Sequence, residues 1–184
     1  MKLFVNACVR EKSRTRRLAE CLLAKAEGQI EEVRLEEIRF PVVNEAFLNR
    51  RDALIEKEAF DDPMFALARQ FAEAEEIIIA APYWDLSFPA ALKQYLEQVN
   101  VVGITFRYSP EGIPVGLCKA KQLTYITTGG GHYMPTEYGY EYVRALANGY
   151  YGIMDTKLYK AEGLDIYGAD PDAIMQEAEA LIRQ

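Results

Sequence analysis

The sequence predicts one α/β domain over residues 1–184, with a five-stranded parallel sheet between two layers of helices. Three observations support this. Five short apolar runs alternate with five stretches of helical periodicity, the pattern of repeated strand–helix–strand units. One run, Ile77 to Ala81, is wholly apolar, as a strand buried on both faces of a parallel sheet is. No internal repeat, low-complexity segment or change of composition marks a second domain.

In chain order, Lys2 to Ala7 is the first strand. A polar loop, Cys8 to Lys12, leads to Ser13-Arg14-Thr15-Arg16-Arg17. From there Leu18, Cys21, Leu22 and Ala26 recur at helical spacing as far as Gly28, the expected C-cap. Ile30 to Arg34 is a short second strand. Residues 35–60, with Phe40-Pro41-Val42-Val43-Asn44, lack a clear period and are expected to form a long surface excursion. Asp62 caps and Pro63 opens a helix to about Glu73. The third strand, Ile77–Ala81, runs into Pro82-Tyr83-Trp84-Asp85-Leu86. A helix follows with Pro89 in its first turn, where the missing N–H costs nothing, and with Ala91, Leu92, Tyr95, Leu96 and Val99 on one face.

Gly103 to Gly116 is loop-like. Gln122 to Thr127 is the fourth strand, ending in Thr128-Gly129-Gly130-Gly131-His132-Tyr133. Thr136 or Glu137 begins a helix to about Asn148. Ile153 to Ala161 contains the fifth strand, and Asp170-Pro171 starts a last helix that ends near Arg183. Right-handed crossovers leave few arrangements of such units. The natural one is a three-layer flavodoxin-like fold with strand order 2-1-3-4-5. Its ligand site lies at the carboxyl ends of strands one, three and four.

The net charge of −7 argues against a general nucleic-acid surface, so an anionic ligand needs a local basic pocket. No apolar run approaches the roughly 18–20 residues of a membrane span. The opening MKLFVNA reads as a strand rather than a leader. Cys8, Cys21 and Cys118 are odd in number and lack metal-ligand spacing. They suit reduced thiols in a cytoplasmic protein with no metal site.

Three loops fall at the strand ends that matter. In Arg10 to Arg17, a helix start offers free N–H groups, and Ser13 and Thr15 add hydroxyls. Arg14, Arg16 and Arg17 in the first turn oppose the helix dipole by about 0.3–1 kcal/mol each, which a bound phosphate would offset. A Ser-capped helix with solvated arginines accounts for this loop equally well. The absence of GxGxxG and GxxxxGK[ST] argues against a dinucleotide Rossmann unit and a P-loop NTPase.

In Tyr83-Trp84-Asp85-Leu86, backbone amides could meet the edge of a flat ring, such as a flavin, while an aromatic covers its face. The alternative is a surface loop anchored by a buried Trp. In Thr127 to Tyr133, three glycines let the backbone approach a ligand and offer N–H groups to an anionic atom; the alternative is a flexible turn. Reduced flavin carries negative charge near N1 and O2, which such donors favour. His132, the only histidine, and Tyr133 are candidates to stabilise charge or give a proton. An exposed side chain without a chemical role is the simpler reading of both.

With those residues in view, the sequence resembles the flavodoxin-like FMN-dependent NAD(P)H oxidoreductases, which include quinone reductases and azoreductases. The likeness covers nearly the whole chain. It is strongest in APYWDLSFPAALKQYLEQVNVVGITFRY, YITTGGGHY and NGYYGIMDTKLYKAEGLD. Pro82 to Leu86 stands at the family's P-M-Y-N-F-like loop, and Gly103-Ile104-Thr105-Phe106-Arg107-Tyr108 matches its G-x-T-F-x-Y. Ser13-Arg14-Thr15 fits its phosphate loop, and Thr127 to Gly131 its glycine loop. Gly152-Ile153-Met154-Asp155 looks like its G-x-x-D, a structural element.

The resemblance implies FMN held by Arg10, Ser13, Arg14 and Thr15, by Pro82, Tyr83, Trp84, Asp85 and Leu86, and by Thr128, Gly129, Gly130 and Gly131. NADH or NADPH reduces it, and a quinone or azo compound then takes two electrons in a ping-pong cycle. A homodimer is implied, with Arg107-Tyr108 and residues 35–60 reaching toward the partner. Two departures stand out. Cys8-Val9-Arg10 replaces Ser-Pro-Arg, which removes a hydroxyl donor and leaves Cys8 outside the ligand set. Asp85 replaces Asn, and its carboxylate is expected to point away from the ring. A flavodoxin-type electron carrier and a non-catalytic regulatory partner with the same fold are the other readings.

Overall fold

The structure, a computed structural model, describes residues 1–184. Its strands are β1 (Lys2–Asn6), β2 (Ile30–Arg34), β3 (Glu76–Ala80), β4 (Phe106–Tyr108), β5 (Pro114–Gly116), β6 (Gln122–Thr128) and β7 (Asp155–Ala161). Its helices are α1 (Arg14–Leu23), α2 (Glu45–Glu56), α3 (Ala66–Glu73), α4 (Ala90–Val99), α5 (Tyr140–Leu146) and α6 (Pro171–Arg183). Five strands form one parallel sheet in the order β2-β1-β3-β6-β7. Counted along the chain within that sheet, the order is the expected 2-1-3-4-5 of a flavodoxin-like fold. β4 and β5 make a separate antiparallel pair.

Alternation along β3 divides its isoleucines between the two helical layers. Ile77 and Ile79 pack with Phe71, Tyr95, Leu96 and Tyr151 on one face. Ile78 packs with Leu18, Ala19, Met175 and Ile182 on the other. All three isoleucines are fully buried. Register then sets the position of the site: Asn6 is level with Ala80, and Ala80 with Ile126. The loops that leave these three strands therefore emerge side by side at one edge of the sheet.

Several elements differ from the sequence-based expectation. Residues 35–60 contain the twelve-residue α2, whose start is capped by Asn44 Oδ1 accepting from the Phe47 N–H at 3.0 Å. No residue of α2 is buried, so no apolar stripe announces it. α1 ends at Leu23, closed by Ala24, and Gly28 lies beyond it in the turn into β2. Pro89 stands one residue outside α4, at its N-cap. Asp62 caps a short 3₁₀ turn, Pro63–Phe65, that runs into α3. The fourth helix of the expected pattern begins late, at Tyr140, and ends in a π-turn over Ala147–Tyr151.

The stretch Gly103 to Gly116 holds the β4–β5 hairpin rather than an open loop. Gly116 seats that hairpin against the π-turn. A Cβ there would lie 2.3 Å from Gly152 N, a backbone atom with nowhere to go.

Candidate functional site

Three loops, those after β1, β3 and β6, meet around one cleft of about 420 Å³. Arg10, Ser13, Arg14, Thr15, Pro82, Tyr83, Trp84, Thr128, Gly129 and Gly130 all border it. Asp85, Leu86, Gly131, His132 and Tyr133 do not. Four residues that sequence reasoning did not single out also line it: Val9, Lys12, Leu164 and Asp165. The last two lie in the loop after β7, whose Gly-Leu-Asp carries no ligand signature of its own.

The first loop is built on Asn6, a buried side chain that was also missed. Its Oδ1 accepts from the Cys8 N–H at 2.9 Å, and its Nδ2 donates to Glu32 at 2.7 Å. Ser13 caps α1, its Oγ accepting from the Arg16 N–H at 3.3 Å. The N–H groups of Glu11, Lys12, Arg14 and Thr15 have no partner within the chain, so a row of donors faces the cleft end of the helix. Thr15 is buried, and its hydroxyl pairs with that of Thr128 at 2.6 Å, tying α1 to the end of β6. Burial, the largest influence, pushes the Cys8 thiol up against the opposing pull of Ser13 and Arg16. Cys8 is thus a neutral packing group.

The three arginines of α1 are ion-paired rather than simply solvated. Arg14 meets Asp165 at 2.7 Å. Arg16 meets Glu20 at 3.1 Å and Glu32 at 3.8 Å. Arg17 meets Asp172 at 3.1 Å and Glu179 at 2.6 Å, and hydrogen bonding to Asp172 and then Glu179 raises its pKa. The cations of the cleft without a carboxylate partner are Arg10 and Lys12.

The second loop is a two-residue hairpin turn. Trp84 and Ser87 exchange two backbone hydrogen bonds, at 3.1 and 2.8 Å. Asp85 and Leu86 form its tip with φ of 51° and 66°. Both non-glycine residues occupy the left-handed region, at a cost of about 1–2 kcal/mol each. Asp85 tolerates this better than most; a leucine does not. The tip faces solvent, and the N–H groups of Asp85 and Leu86 have no partner within the chain. Trp84 is 39% exposed, so it is not the buried anchor of the alternative reading.

In the third loop the carbonyls of Gly129, Gly130 and Gly131 accept from Leu164, Asp165 and Gly163. The Gly129 N–H donates to Ala161 at 2.9 Å, whereas those of Gly130 and Gly131 have no partner within the chain. His132 is exposed and packs over Gly163; Tyr133 is 79% exposed. The chain from His132 to Gly139 then straps the second loop down. Met134 is buried beneath Gly129, the Tyr83 phenol donates to the Pro135 carbonyl at 3.1 Å, and Ser87 Oγ donates to the Tyr138 carbonyl at 2.5 Å. Burial, then the charges of Tyr133 and Glu137, raises the Tyr83 pKa and keeps that donor protonated.

The donor set suits two kinds of ligand group. Unpartnered amides, the Ser13 hydroxyl, Arg10 and Lys12 suit a phosphate at the first loop. The aromatic side chains of Tyr83 and Trp84, beside the glycine loop with the spare Gly130 amide, suit a flat ring with electronegative edge atoms.

A family model described as a flavodoxin-like fold matches residues 2–184. The chain belongs to this family. An FMN-dependent NADH:quinone oxidoreductase of Clostridium beijerinckii is 44% identical over 124 residues, which cover 66% of this chain and 62% of that relative, less than two thirds of its length. A protein of the same name from Coprothermobacter proteolyticus is 34% identical over 188 residues, covering 95% of this chain and 92% of its own. Among solved structures, an azoreductase from Bacillus anthracis shares the fold of this flavodoxin-like chain. Its TM-score is 0.85 at 24% identity, over 98% of this chain and 95% of that one.

Proposed function

We propose that this chain binds FMN and uses NADH, or NADPH, to reduce quinones or azo compounds by two electrons in ping-pong fashion. The observation that carries this is the convergence of three loops on one cleft: the first brings unpartnered N–H donors and cations, the second an aromatic wall, and the third the spare Gly130 amide. The Clostridium and Coprothermobacter relatives, both FMN-dependent NADH:quinone oxidoreductases by name, support the same activity. Bound FMN would supply the redox centre that accepts electrons from one substrate and gives them to the next.

The protein's own part is positional. Arg10, Lys12, Ser13 and Arg14, with the first amides of α1, hold the phosphate. Thr15 and Thr128 fix the distance between that anchor and the glycine loop through their mutual hydrogen bond. Pro82, Tyr83 and Trp84 form the wall of the ring slot, and the strap keeps that wall in place. The spare amide of Gly130 supplies a donor to an electronegative ring atom, which favours the reduced, negatively charged form; the Asp85, Leu86 and Gly131 amides lie outside the cleft. His132 and Tyr133 stand outside the cleft.

A homodimer is the proposed working unit. Support comes from apolar surface left uncovered on the two segments expected to meet a partner: Val42 on the 35–60 segment is 80% exposed, and Tyr108 on β4 is 49% exposed. The deciding experiment is the visible spectrum of the purified protein before and after anaerobic addition of NADH. A yellow protein that bleaches with NADH and turns over with a quinone is expected. Yellow colour without turnover indicates an electron carrier. Absence of both colour and FMN uptake ends the reading.

A further inference from the structure

Arg14 and Asp165 border the same cleft from loops 151 residues apart in sequence and meet at 2.7 Å. Arg14 is where a phosphate is expected, yet its guanidinium is already engaged by an anion of the protein itself. We propose that Asp165 is an internal counter-ion for Arg14, which it holds in place and gives up to the phosphate of the incoming cofactor. Cofactor loading is then an exchange of one anion for another. This rests on the reading that the cleft takes FMN.

The placement of Asp165 is built, not incidental. Its N–H donates to the Gly130 carbonyl at 2.9 Å, and the preceding Leu164 is buried. The backbone is thus fixed while the side chain stays 68% exposed. The carboxylate lies directly over Gly130, where a Cβ would come within 2.4 Å of Asp165 Oδ2 and 3.1 Å of Cγ. Gly130 is not in the left-handed region, so its backbone does not demand a glycine. A side chain there would instead have to push aside the carboxylate above it. Asp165 is also the one carboxylate bordering the cleft, against the cations Arg10, Lys12 and Arg14.

The energetics favour exchange. An exposed ion pair is weak and readily broken. A phosphate can take the guanidinium fork bidentately, which makes a stronger bond. Until then Asp165 keeps the fork aimed across the cleft instead of letting it wander to another carboxylate. The cost is a negative charge beside the incoming phosphate. Asp165 is therefore a positioning residue that acts through Arg14.

The test is titration of the full-length, cofactor-depleted chain with FMN, followed by flavin fluorescence, at low and high salt. Asp165→Asn is expected to tighten FMN binding about fivefold, the scale of an exposed pair, at low salt. The gain shrinks toward unity near ~1 M salt as the charges are screened. Riboflavin, which lacks the phosphate, binds wild type and variant alike. In an Arg14→Gln background only the direct repulsion between Asp165 and the phosphate is left to relieve, so the Asp165→Asn gain is smaller.

If wild type binds FMN but Asp165→Asn weakens or fails to alter binding, or tightens riboflavin equally, the counter-ion role is overturned while the cofactor assignment stands. The role is also overturned if Asp165→Asn tightens FMN as much in the Arg14→Gln protein as in the wild-type background. Wild type that takes up no FMN overturns both.

Discussion

Ser13→Ala separates two duties of one hydroxyl. In the structure Ser13 Oγ caps α1 through a 3.3 Å contact with the Arg16 N–H, long for a hydrogen bond. Its loss should therefore cost the lower part of the usual capping range, about 0.5–1 kcal/mol. For a chain of this length that lowers the melting temperature by about 1–4 °C. If the same hydroxyl also donates to a bound phosphate, its removal costs a further ~1.5–3 kcal/mol of binding. That is about tenfold to a hundredfold in the FMN dissociation constant.

Ser13→Gly is the control. Glycine is a fair N-cap, within a few tenths of a kcal/mol of serine, so it spares the helix while removing the hydroxyl. The expected result is a near-normal melting temperature for Ser13→Gly and a similar loss of FMN affinity in both variants. Both quantities come from thermal melts of the cofactor-depleted protein and from fluorescence titration. Unchanged affinity in both variants, with a lowered melt in Ser13→Ala alone, would show that the hydroxyl serves only the helix and refute the phosphate assignment.

Other outcomes are open to direct measurement. Gly116→Ala drives a Cβ into the backbone of Tyr151 and Gly152 and is expected to lower unfolding free energy by about 2 kcal/mol or more in urea; a loss below ~0.5 kcal/mol would contradict the close approach. Leu86→Gly relieves a left-handed leucine at about 1–2 kcal/mol and adds ~0.5–1 kcal/mol of unfolded-chain entropy. A net gain of about 0.5–1 kcal/mol is expected, and a lower urea midpoint would argue against strain.

Burial moves the Cys118 thiol from 9.0 to about 12 and also raises Tyr95, Tyr125 and Tyr151. The folded chain thus holds these protons longer than the unfolded one. The stability they contribute is intact below about pH 9 and lost as pH climbs toward about 12. Denaturant midpoints at about pH 8 and 10.5 should show the fall, and equal midpoints would contradict it.

Elements with a buried face were legible in the sequence. Ile77 to Ala81 reads as a central strand because both its sides are covered, and Asp170-Pro171 marks the last helix because cap and ring act locally. α2 was not legible, since a helix with no buried residue needs no apolar period; Asn44 was its one local signal. The three-residue strands of the hairpin are too short to show alternation.

In the site, the donor-rich turn, the aromatic turn and the glycines announced themselves by residue type. Asp165 and Asn6 did not. Each matters through what the fold sets beside it: Asp165 through Arg14 and Gly130, Asn6 through Cys8 and Glu32. The outward placement of His132 likewise follows from its seat over Gly163, a tertiary contact across 31 positions.

Because Ile78 looks one way and its two neighbours the other, the sheet works as a partition between two independently filled chambers. Substitutions in one chamber need only conserve that chamber's own volume, so the halves of the interior are free to drift separately. The turns at the carboxyl edge have no such freedom, being rooted in strands gripped from both sides. Change is thereby channelled outward, to exposed positions of the 132–139 strap such as Tyr133 and Tyr138, where a new side chain obliges neither chamber to refit.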